Sequence, residues 1–199
     1  MTEHQQRKNR LLTLLIIAMA VAPFLLAWTL KGNLPVIEGK TNKGLLINPV
    51  VATERVDLTG LDNFSVDNIA ELKGHWIILN LVPSETCAQV CLEAIHKTKQ
   101  LRLMLNKDLT RTRRAIVFFK DIKPEKIDQW LQDDRVLLKV KPSSALTIKI
   151  NKIRSGAIPD GMLLLMDPLG NLMMQYEPGF DPYKVKSDLM HLLRISQIG

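Results

Sequence analysis

The pattern of apolar and polar positions divides the chain into an uninterrupted apolar run and a longer stretch of short alternating ones. Leu11 to Leu30 (LLTLLIIAMAVAPFLLAWTL) carries no charge. At 1.5 Å per residue, about 20 helical residues cross a hydrocarbon core of roughly 30 Å. Trp28 sits near the far end, where the interface favours it, and Pro23 is tolerable inside a membrane helix. Residues 11–30 therefore predict a transmembrane anchor. Ala18-Met19-Ala20 resembles a signal cleavage site, but the apolar run continues well beyond it and exceeds an ordinary signal core, so a retained anchor is expected.

Past the anchor, residues 31–60 predict a linker and an extended lead-in. Gly32, Pro35, Gly39, Gly44 and Pro49 interrupt any periodicity, and Leu45-Leu46-Ile47 is a candidate core contact. Residues 61–199 predict one domain. Asp62 to Leu72 reads as a short strand or turn, with His75 beside the strand that follows. Trp76–Val82 is an apolar run of buried-strand type, and a helix is expected from Cys87 to about Asn106, with apolar positions at helical spacing. The segment 114–119 predicts a second strand, Lys123 to Asp133 a helix with Pro124 in its first turn, and Val136–Val140 a third strand. Leu146 to Ile153 alternates apolar and basic residues and fits either a half-exposed strand or a short helix. Two apolar runs flanking Asp167-Pro168-Leu169-Gly170-Asn171 predict a hairpin. Val185, Leu189, Leu192 and Leu193 mark a closing helix over Asp181 to Ser196. Strand, helix, strand, helix, hairpin, helix is an α/β order of thioredoxin-like type.

Charge adds orientation. The chain has 199 residues and a formal net charge of +7. Arg7, Lys8 and Arg10 flank the anchor, which places residues 1–10 on the cytoplasmic side and the domain outside. In a bacterium that is a single-pass inner-membrane protein with a periplasmic domain, in an oxidising compartment. A second basic run, Lys97, Lys99, Arg102, Lys107, Arg111, Arg113 and Arg114, reads either as a solvated helix face or as a docking surface for anionic lipid or an acidic partner. It lacks the interleaved aromatics of a single-strand binder, and no nucleic-acid partner is expected.

The chemistry concentrates in Ser84-Glu85-Thr86-Cys87-Ala88-Gln89-Val90-Cys91, which holds both cysteines of the chain. Thr86-x-x-Gln89 has the form of a capping box, with Thr86 as N-cap and Cys87 at the first helical position, where free amides favour a thiolate. Side chains at i and i+4 of a helix have Cβ atoms about 5–6 Å apart, whereas a disulfide needs about 3.5–4.5 Å. An unstrained disulfide thus requires Cys87 to lie just outside regular helix, while a reduced pair can hold a soft metal at the wider spacing. The plainer reading is a small structural clip.

A CxxxC motif directly after an apolar strand, followed far downstream by Leu165-Met166-Asp167-Pro168-Leu169-Gly170, resembles the Sco family: membrane-anchored, thioredoxin-fold proteins that deliver copper to cytochrome c oxidase. The similarity runs from about residue 70 to 195. The hairpin and the C-terminal stretch Asp188 to Gly199 look closer still to small bacterial Sco-related membrane proteins that accompany oxidase assembly factors. The family implies three copper ligands, both cysteines and a histidine about eight residues before the hairpin Asp. Cys87 and Cys91 match. The histidine position falls on Pro159, flanked by Ile158 and Asp160, so the third ligand is unknown. Ala88 and Leu92 replace the family's prolines. Two sulfurs without the imidazole suit Cu(I) and serve Cu(II) poorly.

No other residue is a strong substitute ligand. His96 lies about 140° around the helix from Cys91, His191 belongs to the last helix, His4 is on the other side of the membrane, and Met162, Met166, Met173 and Met174 fit a core hairpin. Phosphate-loop, GxSxG and HExxH signatures are missing, and Asp133-Asp134 fits a capping or solubilising loop. Three readings remain. One is an oxidase assembly factor acting through Cys87 and Cys91 by Cu(I) handling or thiol reduction, with oxidase subunits or other assembly factors as partners. Another is a general membrane-tethered thiol–disulfide oxidoreductase, an enzyme in which Cys87 attacks and Cys91 resolves. The last is a non-catalytic scaffold of the same fold.

Overall fold

The computed structural model describes residues 3–33, 42–131, 134–154 and 156–196. The linker around Pro35 and Gly39, Asp133 and the last three residues lie outside these. The chain divides into two compact units, residues 1–40 and 41–199. In the first, helix α1 spans Glu3–Asn33 with Pro23 inside it, and its segment Gln5–Thr29 is long and apolar enough to cross a membrane.

The second unit is built on a seven-stranded sheet. Its elements in chain order are β1 (Leu45–Ala52), β2 (Leu58–Gly60), α2 (Asn63–Asn68), β3 (Trp76–Val82), α3 (Gln89–Leu103), β4 (Thr112–Phe118), α4 (Pro124–Trp130), β5 (Leu138–Pro142), α5 (Ser144–Asn151), β6 (Leu163–Met166), β7 (Asn171–Tyr176) and α6 (Pro182–Ile195). The strand order is β1-β7-β6-β3-β4-β5-β2. β3 runs parallel to β4, and β4 to β5, while β6 and β7 form an antiparallel hairpin that joins the other side of β3.

β3 is central, and all seven of its residues are buried. Side chains alternate across a strand, so β3 feeds two cores. Ile77, Leu79 and Leu81 meet Leu146 and Ile150 of α5 on one face. Trp76 and Ile78 meet Ala94 and Leu101 of α3 and Val185 and Leu189 of α6 on the other. Val82, at the strand's C-terminal end, belongs to a third apolar cluster that also takes in the turn after it.

Several local expectations are corrected. α3 starts at Gln89 rather than Cys87, with Ala88 as an N-cap that makes no side-chain bond. Asp62 to Leu72 is helical: Asp62 caps α2 by accepting from the Ser65 amide, and a 3-10 turn follows over Ile69–Leu72. The segment after Ser143 is α5, because the Ser143 hydroxyl accepts from the Leu146 amide and fixes a helix start. Part of the expected linker is β1, which pairs with β7. Of Leu45-Leu46-Ile47, Ile47 alone is buried.

Candidate functional site

The turn between β3 and α3 carries the two cysteines, joined as a Cys87–Cys91 disulfide with Cα atoms 5.3 Å apart. Cys87 is the last residue before the N-cap Ala88 and Cys91 is the third residue of α3. The spacing argument is satisfied because Cys87 stays out of regular helix. The pair packs in an apolar cluster with Val82, Ile95, Ile116, Phe118, Ile127, Leu131 and Leu137. Cys87 keeps 8 % of its surface exposed and Cys91 1 %. Both cysteines are buried, Cys87 the less completely of the two, and Val90 between them is exposed.

A second loop, residues 158–161, is held against this turn. Ser84 Oγ donates to Asp160 Oδ1 at 3.1 Å and to the Thr86 carbonyl at 2.6 Å. Gly161 adopts φ 82°, and a Cβ there would lie 2.8 Å from the Val90 carbonyl oxygen, so the loop needs glycine to approach the first turn of α3 this closely. The loop to which counting back from Asp167 assigns the expected histidine is therefore beside the turn that holds the cysteines, and it brings Pro159 and Asp160 instead of an imidazole. Among the described residues, no group of three or more His, Cys, Asp or Glu side chains is placed to hold a metal.

The other candidate ligands lie elsewhere. His96 is exposed and within hydrogen-bond distance of Gln100 Nε2. His75 Nδ1 is 3.0 Å from the Glu71 carbonyl, and His191 is exposed on α6. Met162, Met166 and Met174 are core residues and Met173 packs at its margin.

Sequence reasoning missed a polar chain behind the cysteines. Asn80 Nδ2 donates to Thr98 Oγ1 at 2.9 Å. Arg114 donates to Thr98, to the Ile95 carbonyl and to Asp134, with side-chain exposures of 2 % for Arg114 and 6 % for Asp134. Burial holds the Arg114 guanidinium below its usual value while Asp134 acts the other way. Asn80 inside an otherwise apolar strand was the available signal. This network also corrects the basic run: Arg114 is internal, Arg113 pairs with Glu71, Arg111 donates to the Leu193 and Ser196 carbonyls, and Lys97 reaches the Phe180 carbonyl and ring. Asp134 is a buried ion-pair partner rather than a solubilising residue. A cavity of about 610 Å³ opens between α3 and α4, and Leu92, Ile95, Trp130 and Leu131 both line it and pack in the cysteine cluster.

Comparison with solved structures returns the same fold. Apo Sco1 from Thermus thermophilus is 14 % identical, with a TM-score of 0.54 over 76 % of this chain and 96 % of that one. Yeast Sco1 with copper bound is 14 % identical, with a TM-score of 0.50 over 64 % and 83 %. A search of curated proteins by sequence found no match. The model for the "transmembrane-like, thioredoxin-like, C-terminal domain" matches residues 76–196, from β3 through α6 and more than half of the chain. The chain therefore belongs to that family, as a thioredoxin-fold protein with an apolar N-terminal helix that fits a membrane anchor.

Proposed function

We propose that this protein is a membrane-anchored, Sco-like thiol–disulfide factor that assists cytochrome c oxidase assembly by reducing cysteines of a client through Cys87 and Cys91. One observation carries the reading: the bonded pair sits at the start of α3, Cys87 retaining 8 % exposure against 1 % for Cys91, while the adjoining loop offers no imidazole. An asymmetric pair of this kind separates attacking from resolving sulfur.

In the reduced form the Cys87 thiolate attacks a client disulfide and one client thiolate leaves. The Cys91 thiol then attacks Cys87, its proton passing to the second departing client sulfur. Two electrons reach the client, and the Cys87–Cys91 bond re-forms. A membrane-bound dithiol donor must return the chain to its reduced state. The basic residues left on the surface, Lys107 among them, add a contact for anionic lipid or an acidic partner.

A second reading is Cu(I) carriage, supported by the two sulfurs and by the copper-bound Sco1 neighbour. The donor set suits a soft monovalent cargo and not Cu(II). Incubating the reduced, detergent-solubilised chain with a disulfide-bonded peptide separates the two. The first reading predicts stoichiometric peptide reduction that Cys87→Ser abolishes. If the peptide stays oxidised while about one Cu(I) binds per chain, copper carriage replaces thiol reduction. Parental levels of assembled oxidase in cells with Cys87→Ser/Cys91→Ser would leave only the scaffold.

A further inference from the structure

We infer that Thr86 and Gln89 are positioning residues for the Cys87 sulfur, closing a capping box on reduction that extends α3 back to Cys87; this rests on the redox reading above. In the oxidised structure the first bond of α3 runs from the Leu92 amide to the Ala88 carbonyl at 3.0 Å. Its N-cap, Ala88, supplies no acceptor, although alanine is among the poorest residues there. Of the two residues suited to capping, the Gln89 side chain is engaged elsewhere, and the Thr86 carbonyl, which a longer helix would need as an acceptor, is taken by Ser84. Gln89 Nε2 donates to Glu93 Oε1 at 3.1 Å, and the Thr86 carbonyl accepts from Ser84 at 2.6 Å.

The disulfide explains why the box is open. Helical positions four apart hold their Cβ atoms about 5–6 Å from each other, whereas a disulfide needs its Cβ atoms about 3.5–4.5 Å apart. Cys87 cannot enter the helix while it is bonded to Cys91. A donor dithiol removes that restraint: two electrons and two protons pass to Cys87 and Cys91, and the donor leaves as its own disulfide. Thr86 then becomes N-cap, Cys87 the first helical residue and Gln89 the third. The Thr86 hydroxyl accepts from the Gln89 amide, and the Gln89 side chain reaches back to the Thr86 amide. Two backbone bonds are added, Val90 N–H to the Thr86 carbonyl and Cys91 N–H to the Cys87 carbonyl. Cys87 Sγ gains the electrostatic benefit of the helix start, which favours its thiolate. The oxidised sulfur is parked outside the helix, and the reduced one is poised at its end.

The test uses the full chain in detergent micelles. Amide exchange and Cα shifts are compared before and after reduction by a phosphine, and the pH profile of Cys87 alkylation by iodoacetamide is measured in a Cys91→Ser background. Reduction is expected to slow exchange at Val90 and Cys91 and to move Cys87 and Ala88 to helical shifts. Thr86→Ala is expected to raise the midpoint of the alkylation profile and to slow the reaction at pH 7 about twofold to fivefold, with Thr86→Ser restoring it. Unchanged exchange and shifts at residues 86–91 on reduction, or an alkylation profile indifferent to Thr86→Ala, would overturn the inference. If a disulfide peptide is still reduced in that case, only the capping box fails; if it is not, the redox reading itself fails.

Discussion

Asp160 accepts a hydrogen bond from Ser84 at 3.1 Å, which joins the turn leading into Cys87 to the loop that carries Pro159. The turn that carries both cysteines and the loop that carries Pro159 are thus adjacent in space. Pro159→His is the change that tests this directly. In the reduced chain it should create a two-sulfur, one-imidazole set that stabilises Cu(II). The readout is a sulfur-to-copper absorption band that the parent does not develop. A folded, reduced Pro159→His chain without the band would show that the loop stands too far from the sulfurs.

The Arg114–Asp134 pair has a different role. Both side chains are almost wholly enclosed, and Arg114 also holds Thr98 and the Ile95 carbonyl of α3. Asp134→Ala leaves a guanidinium buried without its counter-charge, a change that costs about 3–5 kcal/mol, whereas Arg114→Leu/Asp134→Leu should recover most of that. Urea unfolding of the two variants checks it. Equal losses in both would mean that packing, not the stranded charge, sets the cost.

The two sites differ in how far they could be read from the residues. Apolar runs announced β3, the Ala115–Phe118 part of β4 and β6, which are buried on both faces, and the turn residues between β6 and β7 announced the hairpin. The CxxxC spacing announced a pair beside a helix, but not where the helix starts: Thr86 and Gln89 favour one start and the disulfide enforces a later one. The position of α5 was ambiguous for a similar reason, since its alternating basic residues fit either period and the Ser143 cap decides the matter. Long-range pairings such as Ser84–Asp160 and Arg114–Asp134 leave no local pattern. Arg114 in particular looked like one more surface charge, and only the fold turns it inward.

Reduction should weaken the domain modestly. Joining residues 87 and 91 closes a short loop, and the chain-entropy model gives about 2 kcal/mol for a ring of that size. For a domain of this length, each kcal/mol shifts Tm by about 2–4 °C, so a phosphine should lower Tm by about 4–8 °C. Scanning calorimetry of the full chain with and without reductant measures it. Loss of the cooperative transition on reduction would make the disulfide a structural necessity, incompatible with a pair that cycles.

Acid sensitivity follows from two carboxylates outside the cysteine site. Asp57 accepts from the Glu54 amide at 2.8 Å and from the Ser143 hydroxyl at 2.7 Å, and these bonds hold it below its ordinary 3.8. Arg113 donates to Glu71 and holds that carboxyl below its ordinary 4.5. A group with a depressed folded pKa stabilises the native state fully above its unfolded value, and the benefit disappears as pH falls through the folded one. Tm should therefore be nearly level from pH 7 to about 5 and fall below about 4. Asp57 also ties the turn before β2 to the N-cap of α5, since the Ser143 amide donates to its carbonyl at 2.7 Å. Asp57→Asn keeps that backbone bond and removes the titration, so it should lower Tm at pH 7 and make the acid limb shallower. A variant whose Tm falls with acid as steeply as the parent's would assign the limb to other groups.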